Sequence, residues 1–252
     1  MIGMELAVFI GEIADRILKY LSAADEPGKV AEPMPHTSLS KTTDLKLPLE
    51  GNGMDAVLDD IDTYLRSCVK TNRPEFMNPL WGGINTAGLA GEIIATLTNT
   101  SMYTYELAPL ATLIEQTILN RMGGLVGFSD GAGTLTTGGS NGNMLGMLCA
   151  RQKMHPSSTQ TGFDGRSLVA YVSSESHYSV LMSANVIGIG HQNLIKVACD
   201  ENGCMRPSAL ADEIERTRRE GGIPFCVVST AGTTVRGAFD PLKEIGDIAH
   251  AE

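Results

Sequence analysis

Three short segments of this chain carry residue types able to hold and orient a phosphorylated ligand. The first, TLTTGGSNGNMLGMLCAR from Thr134 to Arg151, places glycines where a turn must let a ligand approach the backbone, immediately ahead of an apolar helix. The free N–H groups and positive dipole end of that helix make Gly139, Ser140 and Asn141 candidates for binding a phosphate. The second is His177 in SSESHYS, directly after a strand-like run. A histidine at the C-terminal end of a parallel strand faces the ligand crevice and can reach a bound aromatic cofactor. The third, STAGTTVRGAFDP from Ser229 to Pro241, follows another strand-like run and offers the hydroxyls of Thr230, Thr233 and Thr234 to polar ligand groups. Each segment also has a plainer reading, as a connecting turn, a surface or capping histidine and hydroxyls that cap helices, and for any single threonine that reading carries more weight. The Gly-Lys-Ser/Thr of a P-loop is absent, as is a GxGxxG after a strand, so mononucleotide and dinucleotide binding lack their defining residues.

The elements that must position these segments alternate along the chain. Leu6, Phe9, Ile10, Ile13, Ile17 and Leu21 recur at helical spacing and predict an amphipathic helix over Met4–Leu21, interrupted by too many charges for a signal or membrane segment. Residues 25–53 read as an extended connector, followed by a helix from Met54 to about Val69. Further helices are predicted over Leu89–Thr98, from Pro109 to a stop at Gly123-Gly124, and over Met144–Met154, the last entered through a loop from Thr134 to Asn143. Buried strands are predicted at Ser167–Ser173 and Ile223–Thr230, with helix Tyr178–Ile187, strand Leu194–Ala198 and helix Pro207–Glu220 between them. This alternation predicts an α/β domain with a mainly parallel sheet and flanking helices. The division expected is an N-terminal helical arm and connector over 1–87 and a large domain over 88–252.

Composition limits the partners. With 29 acidic against 19 basic side chains the formal charge is −10, which disfavours nucleic acid and anionic membrane. The five cysteines are scattered, odd in number and without a CxxC, a pattern of reduced thiols in a cytoplasm and not of a disulfide framework or a metal site.

Taken together, TNTSMYTYELAP (Thr98–Pro109), LTTGGSNGNM (Leu135–Met144), SSESHYS (Ser173–Ser179) and STAGTTVRGAFDPL (Ser229–Leu242) resemble, in order and spacing, the pyridoxal-phosphate-dependent group II decarboxylases of the glutamate and cysteine-sulfinate type. The resemblance runs from about Leu65 to Ala249. It implies the aspartate-aminotransferase-like fold (fold type I), a homodimer with its active site between subunits, pyridoxal 5'-phosphate as cofactor and an amino acid as substrate. By that similarity Gly139, Ser140 and Asn141 would bind the cofactor phosphate, His177 would stack on the pyridine ring and take part in catalysis, and Thr230 would lie close to the ring and the substrate carboxylate. Asn78, Trp81, Ser101 and Tyr103 would line the substrate pocket, the last two in the neighbouring subunit.

Three departures from the family pattern bear on function. RPEFMNPLWGG (Arg73–Gly83) stands where relatives carry a His-Pro and then an Asn-Gln-Leu-Ser type stretch. Pro79 replaces the glutamine and Trp81 the small polar residue, which leaves an aromatic or diamino acid open beside the acidic substrates. Leu181 or Met182 stands where the family usually has a lysine. The Schiff-base lysine and the pyridine-binding aspartate would belong to segments beyond Glu252. The chain is therefore expected to be the N-terminal portion of such an enzyme, truncated within its large domain, inactive alone and needing a complementing C-terminal half. The competing expectations are a non-catalytic remnant or partner-binding protein of the same fold, and an unrelated phosphate-binding α/β module.

Overall fold

The computed structural model describes residues 2–24, 26, 28–128 and 131–251, with side chains at the N-terminus from Glu5 onward. The Met4 side chain, Asp25 at the start of the expected connector, and Glu252 at the end of the expected large domain lie outside these. Two compact units divide the chain, Met1–Ala108 and Pro109–Glu252.

The N-terminal unit is helical. α1 (Ile2–Ser22) packs against α3 (Gly53–Ser67), with Leu58 buried on α3. Arg16 fastens the pair, meeting Glu12 Oε2 at 2.8 Å within α1 and Asp62 Oδ1 at 3.2 Å across to α3. The expected extended connector contains a short helix, α2 (His36–Thr42), which buries no residue and so leaves no apolar periodicity to read. α4 (Thr86–Thr98) starts three residues earlier than its apolar pattern suggests, because Asn85 Oδ1 caps it by accepting the Gly88 N–H at 2.8 Å.

The C-terminal unit opens with α5 (Pro109–Leu125), which runs through Gly123-Gly124 before ending. Then come α6 (Gly139–Met154), α7 (Ser158–Thr161), β1 (Leu168–Ser173), α8 (Ser179–Val186), β2 (Leu194–Val197), α9 (Pro207–Arg219), β3 (Ile223–Val228) and α10 (Leu242–Ala251). The strands form one parallel sheet in the order β2-β1-β3, with Val172 opposite both Lys196 and Val228. Parallel strands need crossover connections, and α8 and α9 supply them.

Side-chain alternation along β1 builds two cores. Leu168, Ala170 and Val172 face Met147 of α6 and Val180 and Ala184 of α8. Val169 and Tyr171 face the opposite way, onto Leu210 and Ile214 of α9 and Ile245 of α10. Because β1 is covered on both faces it reads as a continuous apolar run rather than an alternating one. Each large side chain buried here contributes on the order of 2 kcal/mol. Within this unit β3 is bonded only to β1 among the described residues, and its register slips beside Pro224, which has no N–H to give the ladder. No helix among the described residues is long and apolar enough to cross a membrane.

Candidate functional site

α6 begins at Gly139, not at Met144, so Gly139, Ser140 and Asn141 form its first turn instead of a loop leading to it. Gly138 precedes it with φ 141°, a backbone conformation that glycine adopts without strain. The Gly138 carbonyl accepts the N–H groups of Asn141 and Gly142 at 3.0 and 3.1 Å, and no side chain caps the helix. The N–H groups of Gly139 and Ser140 then have no intrahelical acceptor, as helix geometry requires. A Cβ built on Gly139 would meet nothing within 4 Å. An open, uncapped helix start with bare backbone N–H groups and two small polar side chains fits a phosphate.

His177 follows β1 and is half-buried. Its Nδ1 accepts the Ser179 N–H at 3.2 Å, and its ring lies 4.2 Å from that of Tyr178. Ser179 opens α8 and is itself buried, and its Oγ accepts a hydrogen bond from Asn143 Nδ2 at 2.9 Å. The first turn of α6 is thereby tied to the turn that carries His177.

Thr230 lies two residues beyond β3, half-buried. Its N–H donates to Asp240 Oδ2 at 2.7 Å, and its carbonyl accepts the Asp240 N–H at 2.9 Å. The other oxygen of Asp240 accepts the N–H of Met205, also at 2.7 Å. Thr233 plays a different part from Thr230. It is buried, and its Oγ1 accepts the Ala238 N–H at 3.0 Å, so it closes the 233–238 turn, while Thr234 is exposed.

His177 and Thr230 leave adjacent parallel strands at the same end of the sheet. The chain after β1 enters α8 on one face, and the chain after β3 proceeds to α10 on the other. Connections that part in this way mark the position where parallel α/β sheets bind ligands. The described structure thus brings Gly139, Ser140, Asn141, His177 and Thr230 into one unit, on elements that share the β1 core.

Asn78, Trp81, Ser101 and Tyr103 belong to the N-terminal unit. Asn78 Oδ1 accepts the Leu80 N–H at 2.8 Å, which shapes the turn ahead of Trp81, and the Trp81 ring lies 6.1 Å from that of Phe76. Ser101 and Tyr103 follow α4, and both are exposed. A groove of about 690 Å³ lies between α1 and α3 of this unit and holds none of the expected site residues. Among the described residues no group of three or more His, Cys, Asp or Glu gathers as a metal site.

Asn143, Ser179 and Asp240 are absent from the residues singled out by sequence, although all three fix the residues that were. Each also has a partner 35 or more residues away, which local pattern does not reveal. Cys226, on β3, is buried enough that its thiol is pushed up to about 11.

Sheet, helix start and strand-end residues together define an α/β protein of fold type I, the class that uses pyridoxal phosphate. The pyridoxal-dependent decarboxylase conserved domain matches residues 35–252, and the chain belongs to that family. It is 39% identical over 229 residues to the acidic amino acid decarboxylase GADL1 of Mus musculus, covering 90% of this chain and 42% of that protein. It is 38% identical over 237 residues to the cysteine sulfinic acid decarboxylase of Mus musculus, covering 94% and 48%. The crystal structure of mouse CSAD in apo form is similar over 99% of this chain and 52% of that one, with 36% identity and a TM-score of 0.92. The chain spans about half the length of the curated relatives it matches.

Proposed function

We propose that the chain forms the phosphate- and ring-holding part of a pyridoxal-phosphate-dependent decarboxylase of acidic amino acids, with glutamate, aspartate and cysteine sulfinate as the substrate class. The observation that carries this reading is the uncapped start of α6, hydrogen-bonded through Asn143 to the turn of His177, beside the strand end of Thr230. When bound, the cofactor supplies an electron sink for the carbanion left as carbon dioxide departs.

The chain's own residues bind and orient. Ser140 and Asn141, with the bare N–H groups of the first turn, hold the phosphate dianion against the positive end of α6. His177 presents its ring face to the pyridine, and the half-buried Thr230 aligns the substrate carboxylate. Asn78 and Trp81 shape the substrate pocket, while Ser101 and Tyr103 serve the neighbouring subunit's pocket in a homodimer. None of the chain's lysines suits the anchoring role in this reading. Lys153 lies in the last turn of α6, about 20 Å from Ser140 at the rise of a helix, and Lys196 and Lys243 are exposed. Turnover in this reading draws on an anchoring lysine outside these residues. The unpaired thiols suit a reducing, cytoplasmic compartment.

Equilibrium dialysis of the full chain with pyridoxal phosphate tests the first part. Binding that the double variant Ser140→Ala, Asn141→Ala weakens at least tenfold supports it. A chain that does not bind the cofactor is instead a non-catalytic relative. Carbon dioxide release from the three acidic amino acids, measured with and without the second half of a relative, tests the rest: turnover only in the mixture is expected, and release by the chain alone overturns the requirement for a second half.

A further inference from the structure

The phosphate end of α6 and the ring-facing His177 come from separate parts of the chain, and a rigid ligand with a phosphate at one end and an aromatic ring at the other needs a fixed distance between them. Beside the apolar packing of α6 on α8, one side-chain hydrogen bond among the described residues joins these two ends directly. Asn143 projects from the α6 turn just beyond Asn141, and its Nδ2 donates to Ser179 Oγ at 2.9 Å. Ser179 is buried at 2% exposure on the first residue of α8, where its N–H donates to His177 Nδ1 at 3.2 Å. Its carbonyl accepts the Ser183 hydroxyl at 2.7 Å, which holds the residue from within its own helix.

From this geometry we propose that Asn143 and Ser179 are positioning residues that set the span between the phosphate-binding turn and His177, and that the Ser179 N–H holds the His177 ring with its proton on Nε2. The proposal rests on the reading of α6 and His177 as the phosphate and ring supports. Neither residue touches the ligand. Asn143 acts through the placement of α8 relative to α6. The Ser179 N–H acts through the ring itself, since a nitrogen that accepts a hydrogen bond in the neutral imidazole leaves the proton on the other.

This arrangement separates ligands by length. Inorganic phosphate needs only the α6 turn, whereas pyridoxal phosphate needs both supports at the correct spacing. Asn143→Ala should weaken pyridoxal phosphate binding to the full chain by roughly tenfold, the scale of one hydrogen bond lost from a positioned pair, and leave affinity for inorganic phosphate unchanged. Ser179→Ala should do the same, and the double variant should be no weaker than either single one, because both remove the same bond. Nitrogen-15 shifts of the His177 ring should report the Nε2–H form in the wild-type chain and in Ser179→Ala, which keeps its backbone N–H. Parallel urea melts confirm that each variant is folded. Equal losses for phosphate and pyridoxal phosphate, additive losses in the double variant, or an Nδ1–H ring would overturn the proposal. A wild-type chain that binds inorganic phosphate but discriminates nothing beyond it would instead overturn the cofactor reading on which the proposal stands.

Discussion

The Asp240 carboxylate accepts the Thr230 N–H at 2.7 Å while the Asp240 N–H donates to the Thr230 carbonyl at 2.9 Å, so the two residues close the loop beyond β3 on itself. Through its other oxygen the same carboxylate holds Met205, two residues ahead of the start of α9. Asp240 is 3% exposed, and its removal strands two N–H groups inside the protein. Asp240→Ala should therefore destabilise the fold by about 3 kcal/mol, from a cost of roughly 1–3 kcal/mol for each unsatisfied group. Urea denaturation measures this, and an unchanged midpoint would show that the loop is held by other contacts.

His177 offers the opposite behaviour. It is half-buried, and the one described hydrogen bond of its ring is accepted from a neighbouring N–H, so His177→Ala should move the denaturation midpoint little. In a catalytically active form of the enzyme, the same change should lower the rate by about 10²-fold through lost positioning. Full activity in that variant would refute the ring-facing assignment.

Thiol chemistry should divide the cysteines by burial. Cys149 is exposed, whereas burial raises the Cys226 thiol from its ordinary 9.0 to about 11, leaving about one molecule in a thousand ionised at pH 8. Alkylation at pH 8 should label Cys149 promptly and Cys226 only on unfolding. The folded state keeps the Cys226 proton where the unfolded chain has lost it, so its contribution to stability is whole below pH 9 and declines as pH rises toward 11. Equal labelling rates by mass spectrometry would contradict this burial.

Much of this arrangement can be read from residue order. β1 and β3 are short runs rich in valine and aromatic residues and bounded by turn signals, which is why strands ahead of His177 and Thr230 can be read from sequence. The start of α6 does not. Gly139 and Gly142 each disfavour a helix by about 1 kcal/mol, so SNGN reads as loop by propensity, and packing on α8 and β3 outweighs it. α10 goes unpredicted although Ile245 anchors it, because the loop ahead of it is read for its threonines alone. The part of Asp240 is invisible for another reason, since a carboxylate 35 residues from Met205 has no local signature.

β3 is paired on one side among the described residues, and its unpaired ladder is a template for another strand. Self-association that grows with concentration is the expected behaviour of the isolated chain in sedimentation velocity. A concentration-independent monomer with a sharp two-state urea transition would show that the edge is protected.

The glycine before α6 makes cofactor availability a matter of folding as well as of catalysis. With Gly138 in place of a serine or aspartate, the helix start lacks the capping bond that such a residue contributes, worth about 1 kcal/mol. A bound phosphate would meet the same N–H groups and finish the helix from outside. Any ligand that binds only the folded state stabilises it in proportion to the logarithm of its concentration. Cells short of the vitamin from which the cofactor is made would then hold less of the folded protein, not merely less of its active form, and supply of a small molecule would set the protein's lifetime.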